Sequence, residues 1–69
     1  MTYRQLTRKL RALGCRFDRQ ARGSHEIWLN PANQAKTTIP FWGSDDLKPG
    51  VIVAILRDLG ISRRHFDQA

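Results

Sequence analysis

The run Gly23-Ser24-His25-Glu26-Ile27-Trp28-Leu29 decides how the chain is built, because a small, flexible pair hands a histidine to the first position of an apolar strand. Glycine reaches backbone angles closed to other residues and serine adds a hydroxyl, so the pair predicts a tight turn that can approach a phosphate closely. Ile27, Trp28 and Leu29 then hold the strand by packing. Histidine titrates near neutral pH and is the usual proton-transfer group where no metal takes part, which makes His25, beside Arg22, the candidate for chemistry. A histidine with no catalytic role fits the same triplet.

Upstream of this run, Thr2 and Gln5 have the spacing of a capping box, which predicts a helix from about Tyr3 to Leu13. Tyr3, Leu6, Leu10 and Leu13 follow helical spacing and form its core stripe, while Arg4, Arg8 and Arg11 line another face. Gly14 stops it. Alternation from Cys15 to Gln20 predicts a first strand that ends in the basic turn Ala21-Arg22-Gly23-Ser24, and His25 to Leu29 form the second. Downstream, Asn30-Pro31-Ala32-Asn33 is a turn by composition, about Ala35 to Ile39 is a third strand, and Pro40 closes it. Pro49 opens a second helix with Ile52, Ile55, Leu56 and Leu59 at helical spacing, Gly60 ends it, and Ser62 caps a short final turn through Phe66.

This order predicts an α+β class, with a three-stranded antiparallel sheet, two helices packed on one face, and the sequence α-β-β-β-α. Within the second strand His25, Ile27 and Leu29 share one face and Glu26 and Trp28 the other. The first set tends toward the helices, with His25 at the sheet edge as the alternative, and Trp28 then falls on the opposite face, either exposed as a partner or RNA contact or covered by loop residues or by Phe41 and Trp42.

Composition bounds the rest. A chain of 69 residues has room for one domain, residues 1–69, with one small core. The single Cys15 cannot form an internal disulfide and fits a reducing cytoplasm as a small buried core residue, and no Cys or His cluster has zinc-site spacing. The N-terminus has four basic residues before position 12 and no apolar run, so neither a signal peptide nor a membrane span is expected. The net charge of +6 lies entirely in residues 1–36, and nine of the twelve basic residues are Arg, whose planar fork suits phosphate. An anionic polymer, most simply nucleic acid, is the expected partner class. A solvated basic face that only keeps the protein soluble is the plain alternative.

Gly23-Ser24-His25, Thr37-Thr38-Ile39-Pro40, Leu47-Lys48-Pro49-Gly50, Ile55-Leu56 and Leu59-Gly60-Ile61-Ser62 together resemble the HicA toxin family of bacterial toxin-antitoxin pairs. The resemblance implies a fold similar to the double-stranded-RNA-binding domain, ribonuclease activity on messenger RNA, and a HicB-type antitoxin as partner. The family's catalytic histidine falls on His25. Many members carry a second histidine two residues after the strand-ending proline, and here that position is Trp42.

The residues support a compatible chemistry independently. Metal-dependent nucleases need clustered carboxylates, yet Asp18 and Glu26 are isolated and Asp45-Asp46 lies in a separate loop. RNA supplies its own nucleophile, the 2′-hydroxyl, so a metal-free route needs only a proton acceptor or donor and positive charge near the scissile phosphate. His25 is the candidate for the first role, as acid or base. Arg22, Lys36 and the backbone at Gly23 and Ser24 are candidates for the second, with Ser24 orienting the phosphate and Arg4, Arg8 and Arg11 as further RNA contacts, while solvated turn charges are the equal alternative for Arg22 and Lys36. Trp28, Phe41 and Trp42 are the candidate antitoxin contacts. No small-molecule cofactor motif is present. A non-catalytic RNA-binding module and a protein-interaction module remain the competing classes.

Overall fold

Helix α1 (Tyr3–Ala12) starts at a complete capping box, in which Thr2 Oγ1 accepts from the Gln5 N–H at 3.2 Å and Gln5 Oε1 accepts from the Thr2 N–H at 2.9 Å. Both bonds satisfy donors that a helix start leaves free. A computed structural model of the chain describes residues 1–69. Strands β1 (Arg16–Gln20), β2 (His25–Asn30) and β3 (Ala35–Pro40) follow, then α2 (Pro49–Leu59) and the short α3 (Arg63–Asp67). The sheet is antiparallel in the order β1-β2-β3. This is the α-β-β-β-α architecture expected of a double-stranded-RNA-binding-like fold, with one added turn of helix capped by Ser62.

One core joins the layers. Leu6 and Leu10 from α1, Ile52, Ile55, Leu56 and Leu59 from α2, and Phe66 from α3 pack with Trp28 and Ile39 from the sheet. Cys15 is buried beside them, and burial pushes its thiol above the ordinary range.

The alternation in β2 holds, but the faces are opposite to those expected. Trp28 is fully buried against the helices, whereas His25 is exposed. Directly paired residues share a side, so Glu26 with Ile39 and Trp28 with Thr37 face the core. His25 with Pro40, Ile27 with Thr38, and Leu29 with Lys36 lie on the side away from it. The physical reason is area summed over the sheet: Trp28 shares its side with Ile39 from β3, whereas Ile27 and Leu29 share theirs with Thr38 and Lys36. Leu29 is still only 6% exposed, with Arg16 and Lys36 as its cross-strand neighbours. Long basic side chains shield apolar surface with their stems while keeping their charge in water. A register shift between Phe17 and Arg19 makes Asp18 an extra residue in β1, a bulge that alternation alone did not reveal.

The end of α2 is tied to the β2–β3 turn. Asn30 Nδ2 and Asn33 Nδ2 donate to the Leu59 carbonyl at 2.8 and 3.0 Å, and Gly60 ends the helix at φ +70. A Cβ at Gly60 would stand 2.7 Å from Asn33 Nδ2. Gly60→Ala therefore combines left-handed strain with displacement of Asn33 from the Leu59 carbonyl, which keeps only its bond from Asn30, for a cost of about 2 kcal/mol. For a domain of this size a fall in Tm on the order of 10 °C is expected. Gly50→Ala has no positive φ and meets nothing within 4 Å. It should melt at or slightly above the wild-type temperature, and equal melting of the two variants would refute the strain at Gly60.

Candidate functional site

Arg22 to His25 form a hydrogen-bonded turn in which the His25 N–H donates to the Arg22 carbonyl at 3.2 Å. Gly23 sits at φ +63, a conformation that a side chain would strain. The Gln20 amide closes the turn from the far side, donating from Nε2 to the Gly23 carbonyl at 3.1 Å and the His25 carbonyl at 3.0 Å. The Phe41 N–H donates to the Ser24 carbonyl at 2.8 Å. The turn's carbonyls thus face inward to protein donors, while the N–H groups of Arg22, Gly23 and Ser24 have no acceptor in the protein. Unpartnered N–H groups at an exposed turn favour an anion.

The His25 ring is exposed, and its Nδ1 lies 3.2 Å from the Arg22 carbonyl oxygen. A carbonyl only accepts, so this contact is a hydrogen bond when Nδ1 carries the proton. In the neutral ring that tautomer leaves the Nε2 lone pair available. The hydrogen-bond partner therefore orients the ring as well as selecting the nitrogen that can accept a proton.

Behind the turn, on the core side, Glu26 joins α1 to the sheet. Its Oε1 accepts from the Tyr3 hydroxyl at 2.5 Å and from Trp28 Nε1 at 3.1 Å. Burial, and then the bonded Glu26 carboxylate, push the Tyr3 phenol up to about 12. The phenol thus stays a donor to Glu26 throughout the neutral range. The Phe41 ring stacks on Tyr3 with centroids 4.7 Å apart, and Phe41 and Trp42 are 48% and 41% exposed. Trp28 offers no surface to a partner, which removes it from the antitoxin-facing set.

The basic residues divide into separate groups. Arg22 stands in the His25 turn, exposed and with no acidic group in reach. Lys36 shares the open face with His25, but it pairs with Leu29 while His25 pairs with Pro40. Four residues of strand separate them, about 13 Å. Its Nζ also lies 3.4 Å from Asp18 Oδ2, which is held by Arg19 as well. Lys36 therefore belongs to the far end of the open face and not to the surroundings of His25. Arg4, Arg8 and Arg11 form one row along α1, lining a shallow concavity with Thr2 and Gln5 and no apolar residue. The Arg11 guanidinium also sits 5.0 Å over the Trp28 ring.

No group of three or more His, Cys, Asp or Glu side chains is placed to hold a metal ion. No helix is long and apolar enough to cross a membrane. Gln20, Tyr3 and Glu26 are supporting residues to which the sequence reading assigned no role at the site. Only Glu26 left a signal, as an acid in a strand position that alternates with apolar residues. Residues 3–61 match the family model described as "HicA toxin of bacterial toxin-antitoxin". No curated protein and no solved structure matches the chain.

Proposed function

Since the chain belongs to the HicA toxin family of bacterial toxin-antitoxin systems, we propose that it is a metal-independent endoribonuclease that cuts messenger RNA in the cytoplasm with His25 as its proton-transfer group. The observation that carries this reading is the His25 ring, exposed at the end of the open sheet face with Nδ1 at the Arg22 carbonyl and Nε2 free. In the proposed reaction His25 Nε2 takes the proton of a ribose 2′-hydroxyl. The 2′-oxygen attacks the adjacent phosphorus, the bond from phosphorus to the 5′-oxygen breaks, and that oxygen takes up a proton from water as it leaves. A 2′,3′-cyclic phosphate and a 5′-hydroxyl result. Charge builds on the phosphoryl oxygens, where the Gly23 and Ser24 N–H groups, the Ser24 hydroxyl and Arg22 supply donors at little reorganisation cost.

Binding along the strand falls to the basic N-terminal half, with Arg4, Arg8 and Arg11 on α1 as phosphate contacts. If roughly four phosphates are neutralised, log affinity should fall against log salt with a slope of about −3 for single-stranded RNA. Each Arg→Ala change at a true contact should make the slope shallower by somewhat less than one. Affinity that does not respond to salt would reduce the basic row to a solubility device. A module that binds RNA without cutting it would show the same slope, and only the His25 variant separates the two.

A toxin of this kind needs restraint, and the proposed partner is an acidic HicB-type antitoxin that covers His25. A surface that attracts RNA also attracts carboxylates, so such a partner would associate fast and compete for the same Arg residues. Phe41 and Trp42 are its aromatic anchors beside the His25 turn. A stable complex would bury on the order of 800 Å² of this protein, out of a total surface of 4527 Å².

A further inference from the structure

A groove of about 440 Å³ runs between the start of α1 and the loop after β3, lined by Thr2, Tyr3, Arg4, Phe41, Gly43 and Ser44. We infer that this groove is a nucleobase subsite, in which one unpaired base of the RNA stacks on Phe41 on the helix side of the Arg22–His25 turn, while His25 meets the backbone from the turn's open side. The inference rests on the ribonuclease reading above and specifies which part of the substrate sits beside the cut.

The Phe41 ring is half exposed, and it is backed by the Tyr3 ring at 4.7 Å with 25° between their planes. Tyr3 is fixed in turn by its hydroxyl on Glu26. A rigid, backed aromatic face is what a base needs for stacking, since every base presents a π-face of its own. The Arg4 guanidinium and the Ser44 hydroxyl line the groove at exposed positions, so both are available to the polar edge of a base or to its phosphate. The Phe41 N–H bond to the Ser24 carbonyl connects this wall directly to the turn that carries His25.

The neighbouring surface decides between RNA and protein as occupant. Thr2 and Arg4 line both this groove and the basic concavity that continues along α1 past Arg8 to Arg11. An aromatic platform that opens into a track of Arg side chains with no acidic partner is the arrangement by which single-stranded nucleic acid is held. A neutral protein side chain would use the aromatic wall but leave the Arg track unexplained, and an acidic partner that used both would compete with RNA for this groove.

The test measures binding of short single-stranded oligoribonucleotides to the intact chain carrying His25→Ala, which removes cleavage from the readout. An intact oligonucleotide is compared with versions having one abasic ribose at each position in turn. Loss of a single base is expected to weaken binding by about 5-fold to 100-fold at one position and little elsewhere. Phe41→Ala should abolish that position dependence, and Phe41→Trp should restore it. The abasic comparison leaves the protein unchanged, so it remains decisive if Phe41→Ala fails to fold. Equal affinity for all abasic versions overturns the subsite while leaving the nuclease reading intact. Absence of any RNA binding by the intact chain overturns both. Unchanged RNA affinity in Phe41→Ala together with lost affinity for the co-expressed acidic partner assigns the groove to protein and also overturns the subsite.

Discussion

His25→Ala is expected to lower the rate of RNA cleavage by about 10²- to 10⁴-fold, the usual cost of removing a general acid or base. The fold should survive, because the side chain is exposed and its one hydrogen bond goes to the Arg22 carbonyl. That carbonyl keeps the backbone N–H of residue 25 as a donor, and the Gln20 and Phe41 bonds that close the turn do not involve the imidazole. RNA affinity should change little for the same reason, since the phosphate contacts lie on other residues. The measurement is cleavage of purified RNA by wild type and variant with EDTA present, beside a thermal melt of each. His65→Ala is the matched control, an exposed histidine in α3, a helix that packs through Phe66. Undiminished cutting by His25→Ala would sink the assignment. Wild-type cutting that stops on adding EDTA would sink the metal-free route.

The elements were legible where local chemistry alone decides them. Thr2 and Gln5 form their capping box whatever the rest of the chain does, and Pro49, Gly60 and Ser62 mark helix ends through backbone constraints that travel with the residue. The face of β2 was not decided in that way. Alternation states that His25, Ile27 and Leu29 share a side, but which side the helices cover depends on the total area each side offers. Two aliphatic residues outnumber one tryptophan in the sequence, yet the structure buries Trp28 and leaves His25 and Thr38 outside. The bulge at Asp18 was hidden for a related reason, since an extra residue in a strand is a property of the pair of strands and not of either alone.

The site divides along the same line. Gly23, Ser24 and His25 were legible as a turn leading into a strand because three adjacent residues carry that geometry. Gln20 and Phe41 approach the turn through β1 and from beyond β3, and Tyr3 reaches Glu26 across 23 positions of sequence. No local pattern records such contacts. The placement of Lys36 was misjudged similarly, as its sequence distance from His25 says nothing of the antiparallel register that sets it against Leu29.

The inverted face leads to the largest stability effect expected in the chain. Trp28 has no exposed surface and lies in the core with residues from all three helices. Its indole N–H donates to Glu26, Phe17 meets its ring edge-on at 6.4 Å, and the Arg11 guanidinium lies over its face. Truncating a buried tryptophan to alanine costs about 3–5 kcal/mol through lost transfer energy and an incompletely filled cavity. Native domains hold roughly 0.05–0.15 kcal/mol per residue, which for this length amounts to about 3–10 kcal/mol in total. Trp28→Ala should therefore be largely unfolded or melt far below wild type, and Trp28→Phe should fall between them because it restores part of the volume. Trp42→Ala, at a residue 41% exposed, should melt close to wild type. Circular dichroism melts of the three variants provide the measurement. A Trp28→Ala protein that melts within a few degrees of wild type but no longer binds its partner would return Trp28 to the surface role expected from alternation, and would contradict the packing of the sheet on the helices.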